Sequence, residues 1–165
     1  MEKNYLYQEF RPYLECCDDD ERNYIEQRLI GQIIWYDKKA VEKQKKYKTF
    51  TLIAIILTAL IPVLTIFAET GNSSLVTFLI AVFASGSTVF LSVLNLCEYQ
   101  KLWIQYRSTC EILKSILHRY FMGAREFSSD NKKENLNLLI SSCEAYMIKE
   151  YETWTQLAHE CKKGQ

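Results

Sequence analysis

The sequence predicts an all-α fold. A transmembrane helical hairpin continues, through its two long helices, into a cytosolic helical bundle that a C-terminal helix completes. Residues 49–68 and 70–97 contain no charged side chain, although the chain has 20 basic and 20 acidic residues. Apolar residues on both sides of these windows recur at intervals of three and four, as on one face of a helix. Only 5 Gly and 2 Pro occur, so few positions favour a break.

The charge pattern divides the chain into three parts. Residues 1–48 are predicted to form an N-terminal cytosolic segment with a helix that runs into the membrane. Residues 49–97 form the transmembrane hairpin, with spans 49–68 and 73–97, and residues 98–165 form a cytosolic helical hairpin. About 20 apolar residues in a helix cross the roughly 30 Å hydrocarbon core. The alternative is that both windows are buried helices of a soluble protein.

The segment Glu69–Asn72 between the spans predicts a tight turn, because it contains Gly71 and Asn72. So short a turn places both chain ends on one side of the membrane. Lysines precede the first span, Lys101 and Arg107 follow the second, and the turn has no basic residue. The positive-inside rule therefore predicts a multi-pass protein of the inner (plasma) membrane with both termini in the cytoplasm.

The first long helix is predicted to start at the acidic run Asp18–Glu21, because carboxylates stabilise a helix N-terminus. Helical spacing continues from there to the first span in six residues: Ile25, Leu29, Ile33, Tyr36, Ala40 and Tyr47. Pro62 removes the N–H that would bond the Thr58 carbonyl, so it predicts a kink in the first span. This kink is either a static bend or a gating hinge.

The second span is predicted to continue into the cytosol without interruption, because neither Gly nor Pro occurs between Gly86 and Gly123. Its apolar face repeats at alternating intervals of four and three residues: Tyr99, Trp103, Tyr106, Cys110, Leu113, Leu117 and Tyr120. At 1.5 Å per residue, each of the two long helices would measure roughly 70 Å.

A last, soluble helix is predicted to start where Asn131 and Glu134 resemble a capping box. Its face follows the same intervals: Leu136, Ile140, Cys143, Met147, Glu150, Trp154, Leu157 and Cys161. Glu150 is out of place in a core, and we expect Arg107 to pair with it as a structural clamp, with a switch as the alternative. Arg107 and Glu111 stand one turn apart and should pair along their helix.

Weakly polar residues form a stripe on each span and are candidate pore-lining residues. They are Thr51, Thr58 and Thr65 in the first span and Thr77, Ser85, Thr88, Ser92 and Asn95 in the second. Hydroxyls and an amide on one stripe can hydrogen-bond water or ions. The alternative is that small, weakly polar residues let helices pack closely and bond one another. Two helices cannot enclose a water path, so a pore requires a homo-oligomer of four or more chains.

Other functional classes have less support. The lysines next to the first span are expected to contact the head groups of membrane lipids: Lys43, Lys45, Lys46 and Lys48. We expect no enzyme, cofactor or metal site, because the 2 histidines are isolated and neither a Gly-rich phosphate loop nor a nucleophile–base spacing occurs. The balanced charge does not indicate nucleic-acid binding. The cysteines on apolar helix faces are interpreted as small core residues.

Two blocks resemble the SLATT-type domains (SMODS and SLOG-associating two-transmembrane effectors), and above all the related bacterial two-span domain of formerly unknown function. The blocks are "QIIWYDKKA" at residues 32–40 and "WIQYRSTCEILK" at residues 103–114. With Glu144, Glu150 and Trp154, the resemblance extends from about Tyr24 to Trp154. It assigns the family positions to Trp35, Tyr36, Trp103, Tyr106, Arg107, Glu111, Glu150 and Trp154.

The resemblance implies an oligomeric membrane effector, pore-forming or ion-conducting, in bacterial antiphage defence that leads to cell death or growth arrest. In the resembling systems a sensor or a nucleotide signal acts with the membrane domain. The sequence contains no fused sensing or synthase domain. We therefore expect a separate sensor or nucleotide signal, with no such partner as the alternative. The alternative is a non-conducting membrane scaffold whose cytosolic helical bundle recruits a signalling partner.

Overall fold

In the computed structural model, the backbone is described for residues 3–70 and 74–163, and the side chains for residues 7–67 and 74–150. Every regular element in these ranges is helical, so the all-α class is confirmed. The elements are α1 (Lys3–Leu14), α2 (Asp19–Asn23), a π-helical segment (Tyr24–Ile30), α3 (Gly31–Thr70), α4 (Ser74–Cys97), α5 (Tyr99–Phe121), a 3-10 turn (Arg125–Phe127) and α6 (Lys132–Lys163). The predicted turn at Gly71 and Asn72 lies outside the described residues.

The first long helix starts where the sequence predicts it and continues without a gap. Helix α2, the π-helical segment and α3 follow one another from Asp19 to Thr70. At its start the Asp18 N–H donates a hydrogen bond to a Glu21 carboxylate oxygen at 3.3 Å. Gly31 keeps helical angles, φ −57° and ψ −43°, so it does not interrupt the helix.

The prediction that the second long helix is uninterrupted is wrong at Glu98. Helix α4 ends one residue before Glu98 and α5 begins one residue after it, because Glu98 has a left-handed φ of 44°. This conformation costs a residue with a side chain about 1–2 kcal/mol, so it normally falls on Gly. Backbone hydrogen bonds close around the break: the Glu98 N–H donates to Asn95, and the Leu102 N–H donates to the Glu98 carbonyl at 3.1 Å.

The chain separates into two compact units. The first, here called the bundle unit, comprises Met1–Lys38 and Tyr106–Gln165, and the second, the hairpin unit, comprises Lys39–Gln105. Both charge-free windows of the sequence belong to the hairpin unit.

The core of the bundle unit contains most of the described residues of the predicted apolar faces, whereas Tyr120, Leu136 and Ile140 are only partly buried. Fully or nearly buried residues come from three of these faces: Ile25, Leu29, Ile33 and Tyr36; Tyr106, Cys110, Leu113 and Leu117; Cys143, Met147 and Glu150. The interpretation of Cys110 and Cys143 as core residues is therefore confirmed. The start of α6 differs in detail from a capping box, because Asn131 accepts from the Lys133 N–H whereas Glu134 accepts from the Ser129 hydroxyl.

Helix α1 is a part of the bundle unit that the sequence analysis missed. Its Phe10 and Leu14 are buried, at 0% and 4% exposure. The Tyr7 hydroxyl donates to the Glu26 carbonyl at 3.2 Å, and the Arg22 guanidinium donates twice to the Leu14 carbonyl, at 3.0 and 2.8 Å. The bundle unit therefore includes a helix before Asp18 that the sequence did not predict. The spacing of Tyr7, Phe10 and Leu14 was a signal for it, although Pro12 lies in its last turn.

The hairpin unit contains two helices that are long and apolar enough to cross a membrane. Only 6% of the most apolar window in each is buried, unlike the core helix of a soluble protein, which buries most of its residues. Contacts between α3 and α4 are close at a few positions. The Phe50 and Phe90 rings lie 5.9 Å apart, and a Cβ added to Gly86 would lie 3.5 Å from the Leu57 side chain.

Candidate functional site

An aromatic cluster on α3 and α5 brings together three of the predicted family positions. The Trp35 ring meets the Tyr36 ring edge-on at 5.1 Å and the Tyr106 ring edge-on at 5.8 Å. The Tyr36 and Tyr106 rings lie 6.2 Å apart. Tyr36 and Tyr106 are buried and Trp35 is partly exposed, so the cluster extends from the core of the bundle unit to its surface.

Arg107 next to this cluster pairs with two carboxylates. It donates to Asp37 at 2.6 Å and forms the predicted pair with Glu111 at 2.7 Å. The prediction that Arg107 pairs with Glu150 is wrong. The guanidinium is half exposed, with Asp37 beside it, whereas Glu150 is only 7% exposed. Asp37 was not among the predicted site residues, although it lies within the quoted block of residues 32–40.

Glu150 is a buried carboxylate that pairs with no cation of the described side chains. Neither of its carboxylate oxygens has a hydrogen-bond partner of good geometry among the described residues. Burial raises the pKa of Glu150, and the nearby hydroxyls of Tyr36 and Thr109 offset this only in part. Burial therefore shifts Glu150 towards its neutral form relative to a carboxyl group in water. An ionisable side chain in such surroundings is a candidate functional residue.

A second acidic residue of α6 has the opposite surroundings. The Arg28 guanidinium donates twice to the carboxylate of Glu144, at 2.9 and 3.0 Å. This bidentate bond lowers the pKa of Glu144. Arg28 lies on the π-helical segment, a geometry that often marks functional positions. No sequence signal identified it as the partner of Glu144.

Two more tryptophans belong to the family pattern, Trp103 and Trp154. Trp103 belongs to the hairpin unit, where its indole N–H is buried without a hydrogen-bond partner among the described residues. The side chain of Trp154 lies outside the described residues.

The hydroxyls of the candidate pore stripe bond mainly within their own helices. Five donate to a carbonyl three or four residues earlier at 2.8–3.0 Å: Thr58, Thr65, Ser85, Thr88 and Ser92. On α4 the side chains of Thr77, Ser85, Thr88, Ser92 and Asn95 are exposed. A hydroxyl that donates to its own helix still has a lone pair for water, an ion or another helix. The pore interpretation and the packing interpretation therefore both stay predictions.

The hairpin unit has a cavity of about 320 Å³ next to Glu98. Two candidate pore residues, Thr51 and Asn95, line it, and the Thr51 hydroxyl is buried without a partner among the described residues. The other lining residues are Tyr47, Leu91, Leu94, Glu98, Gln100 and Lys101. The cavity therefore lies where the predicted second span ends.

The four lysines that were predicted to contact lipid differ in their surroundings. Lys46 pairs with Glu42 at 3.0 Å, and the Lys43 ammonium lies 5.5 Å from the centre of the Tyr99 ring. Lys45 and Lys48 are exposed. Their contact with lipid head groups stays a prediction.

A larger cavity of about 530 Å³ lies in the bundle unit, and none of the predicted site residues lines it. Cys16 and Cys17 are among its lining residues. Burial, with a contribution from Glu21, raises the pKa of the Cys17 thiol to about 12, so this thiol stays protonated and is a weak nucleophile. Across the described residues, no group of three or more His, Cys, Asp or Glu side chains could hold a metal ion.

A family model described as a protein of unknown function (DUF4231) matches residues 31–135, which include α3, α4 and α5. The matched range contains the family positions from Trp35 to Glu111 but neither Glu150 nor Trp154. No curated protein and no solved structure matches the chain.

Proposed function

The chain belongs to the DUF4231 family, and we propose that it is an oligomeric membrane effector, pore-forming or ion-conducting. We place it in bacterial antiphage defence, where its activity leads to cell death or growth arrest. The family has no assigned function, so this role in defence derives from the resemblance to SLATT-type effectors. The proposal that the chain forms a pore derives from the residues of the hairpin unit.

The observation that supports a pore is the exposed polar face of α4. Ser85, Thr88, Ser92 and Asn95 are spaced by three and four residues and are exposed in the single chain. A primary amide such as that of Asn95 needs hydrogen-bond partners within a membrane. Water in a path between subunits supplies hydrogen-bond partners to this amide, whereas lipid acyl chains do not.

In this proposal several chains contribute their spans to one path. Two spans per chain are too few to enclose water, so four or more chains are needed. The bundle unit assembles the subunits and receives the signal from a separate sensor or a nucleotide. Helix α3 carries residues of both units in one continuous helix, from Gly31 to Thr70. Its backbone ladder can therefore convey a rotation to the span.

A non-conducting membrane scaffold is the second candidate, and one observation favours it. The hydroxyl hydrogens of Ser85, Thr88 and Ser92 are already satisfied by carbonyls of α4. In a scaffold, this face would pack against a helix of another chain, and the bundle unit would recruit a signalling partner.

Leucine substitutions on the polar face separate the two candidates. The triple variant Ser85→Leu, Thr88→Leu, Asn95→Leu should assemble normally but lose ion conductance in proteoliposomes and toxicity on expression. The matched control Ser85→Thr, Thr88→Ser, Asn95→Gln keeps the polar groups and should keep both activities. A leucine variant that retains full toxicity while wild-type proteoliposomes stay tight would favour the scaffold.

A further inference from the structure

The cavity of the hairpin unit combines an apolar wall with a charged one. Leu91 and Leu94 lie within the proposed second span, whereas Glu98 and Lys101 follow its end. Polar side chains also line the cavity: Tyr47, Asn95 and Gln100. If α4 spans the membrane as proposed, this cavity of about 320 Å³ extends across the boundary between acyl chains and water.

The charged wall presents one carboxylate and one ammonium side by side. Lys101 and Glu98 are 2.7 Å apart, with side chains 69% and 38% exposed. A pair this exposed contributes little to stability, so a ligand that offers both charges can replace it. The left-handed conformation of Glu98 is a strained backbone feature, and such features often occur at binding sites.

We propose that this cavity binds the head group of an aminophospholipid with a primary ammonium, such as phosphatidylethanolamine. The Lys101 ammonium donates to the lipid phosphate, and the lipid ammonium donates to the Glu98 carboxylate. The glycerol and the first acyl carbons pack against Leu91 and Leu94. This inference rests on the membrane placement in the proposed function and not on conduction.

The charge arrangement selects among bilayer lipids. Phosphatidylcholine offers a phosphate but no N–H for Glu98, and phosphatidylglycerol offers no cation at all. The exposed lysines Lys45 and Lys48 would attract anionic lipid by charge alone, without such selection. Preference for phosphatidylethanolamine over phosphatidylglycerol therefore distinguishes the cavity from a diffuse basic surface.

Native mass spectrometry of the full chain in detergent tests the proposal. Phosphatidylethanolamine, phosphatidylcholine and phosphatidylglycerol with identical acyl chains are titrated separately. We expect phosphatidylethanolamine to bind at least about tenfold more tightly than the others, since a charge-assisted hydrogen bond separates them. Glu98→Gln should remove its advantage over phosphatidylcholine, and Lys101→Gln should weaken all three lipids.

Glu15→Gln is the matched control, because Glu15 forms an exposed pair with Arg11 at 3.5 Å and does not line the cavity. It should keep the wild-type ranking. Equal binding of the three lipids, preference for phosphatidylglycerol, or an unchanged ranking in Glu98→Gln would overturn the inference. So would soluble glycerophosphoethanolamine that binds as tightly as the whole lipid. Selective lipid binding by a protein that conducts no ions would overturn the proposed pore and support this inference.

Discussion

Replacing Glu150 by Gln should stabilise the protein at neutral pH. The side chain is 7% exposed, and neither carboxylate oxygen has a good hydrogen bond among the described residues. Burial raises the pKa of Glu150, so ionisation opposes folding. Glutamine has the same shape without the charge, and its amide can donate to the Tyr36 and Thr109 hydroxyls.

The magnitude follows from the cost of burying an unsatisfied polar group. That cost is about 1–3 kcal/mol, and it is larger for a charged group. In a chain of this size, 1 kcal/mol changes Tm by about 2–4 °C. The variant should therefore melt about 2–12 °C above wild type at pH 7.

The pH dependence has a definite sign. Because the folded pKa of Glu150 lies above the unfolded value of about 4.3, its destabilising effect is absent below that pH and grows as pH rises through the folded pKa. The difference in Tm between Glu150→Gln and wild type should therefore shrink to near zero in acid. Tryptophan-fluorescence melting of the detergent-solubilised protein between pH 4 and 8 measures it.

Glu144→Gln on the same helix is the matched control with the opposite sign. Arg28 lowers the pKa of Glu144, so this carboxylate stabilises the fold at neutral pH and loses that effect as pH falls through its folded pKa. The pair is partly exposed, so the loss should be about 1 kcal/mol or less. If Glu150→Gln lowers Tm at pH 7, Glu150 has a stabilising partner and the reasoning is refuted.

Substitutions at three further positions test other parts of the structure. Glu98→Gly should raise the free energy of unfolding in lipid-free detergent by about 1 kcal/mol, because Gly adopts a φ of 44° without strain. A decrease would contradict the left-handed conformation of residue 98. Gly86→Ala should leave Tm nearly unchanged, whereas Gly86→Leu should lower the free energy of unfolding by about 1–3 kcal/mol because it displaces Leu57. Equal Tm values for the two variants would show that α3 and α4 do not pack at Gly86. Asp37→Asn should cost about 1 kcal/mol, and less in high salt than in low salt, because the Arg107 side chain is 49% exposed although that of Asp37 is 13% exposed. A loss that does not depend on salt would show that solvent ions do not screen this pair.

Much of the fold could be predicted because charge and periodicity are local signals. The charge-free windows marked the two long apolar helices, and the intervals of three and four residues identified the buried faces. The break at Glu98 could not be predicted, because neither Gly nor Pro marks it. Helix α1 was not predicted, because Pro12 favours a break, although a proline in the last turn interrupts only one backbone bond.

The site was predicted less well, because pairing of charges depends on three-dimensional distance. The helical pair of Arg107 with Glu111 follows from spacing alone and was found. The partner from another helix, Asp37, lies 70 positions away in the chain, and the spacing within one helix cannot reveal it. Glu150 was recognised as unusual, but its isolation could be established only from the coordinates.

Ion leakage from liposomes that contain the purified protein tests the central claim most directly. We expect wild-type protein to release a trapped ion. Release should rise more steeply than linearly with protein density, because several chains form each pore. The variant Ser85→Leu, Thr88→Leu, Asn95→Leu should insert into the liposomes without causing release. Liposomes that stay tight at every density, although flotation shows the protein embedded in them, would contradict the pore.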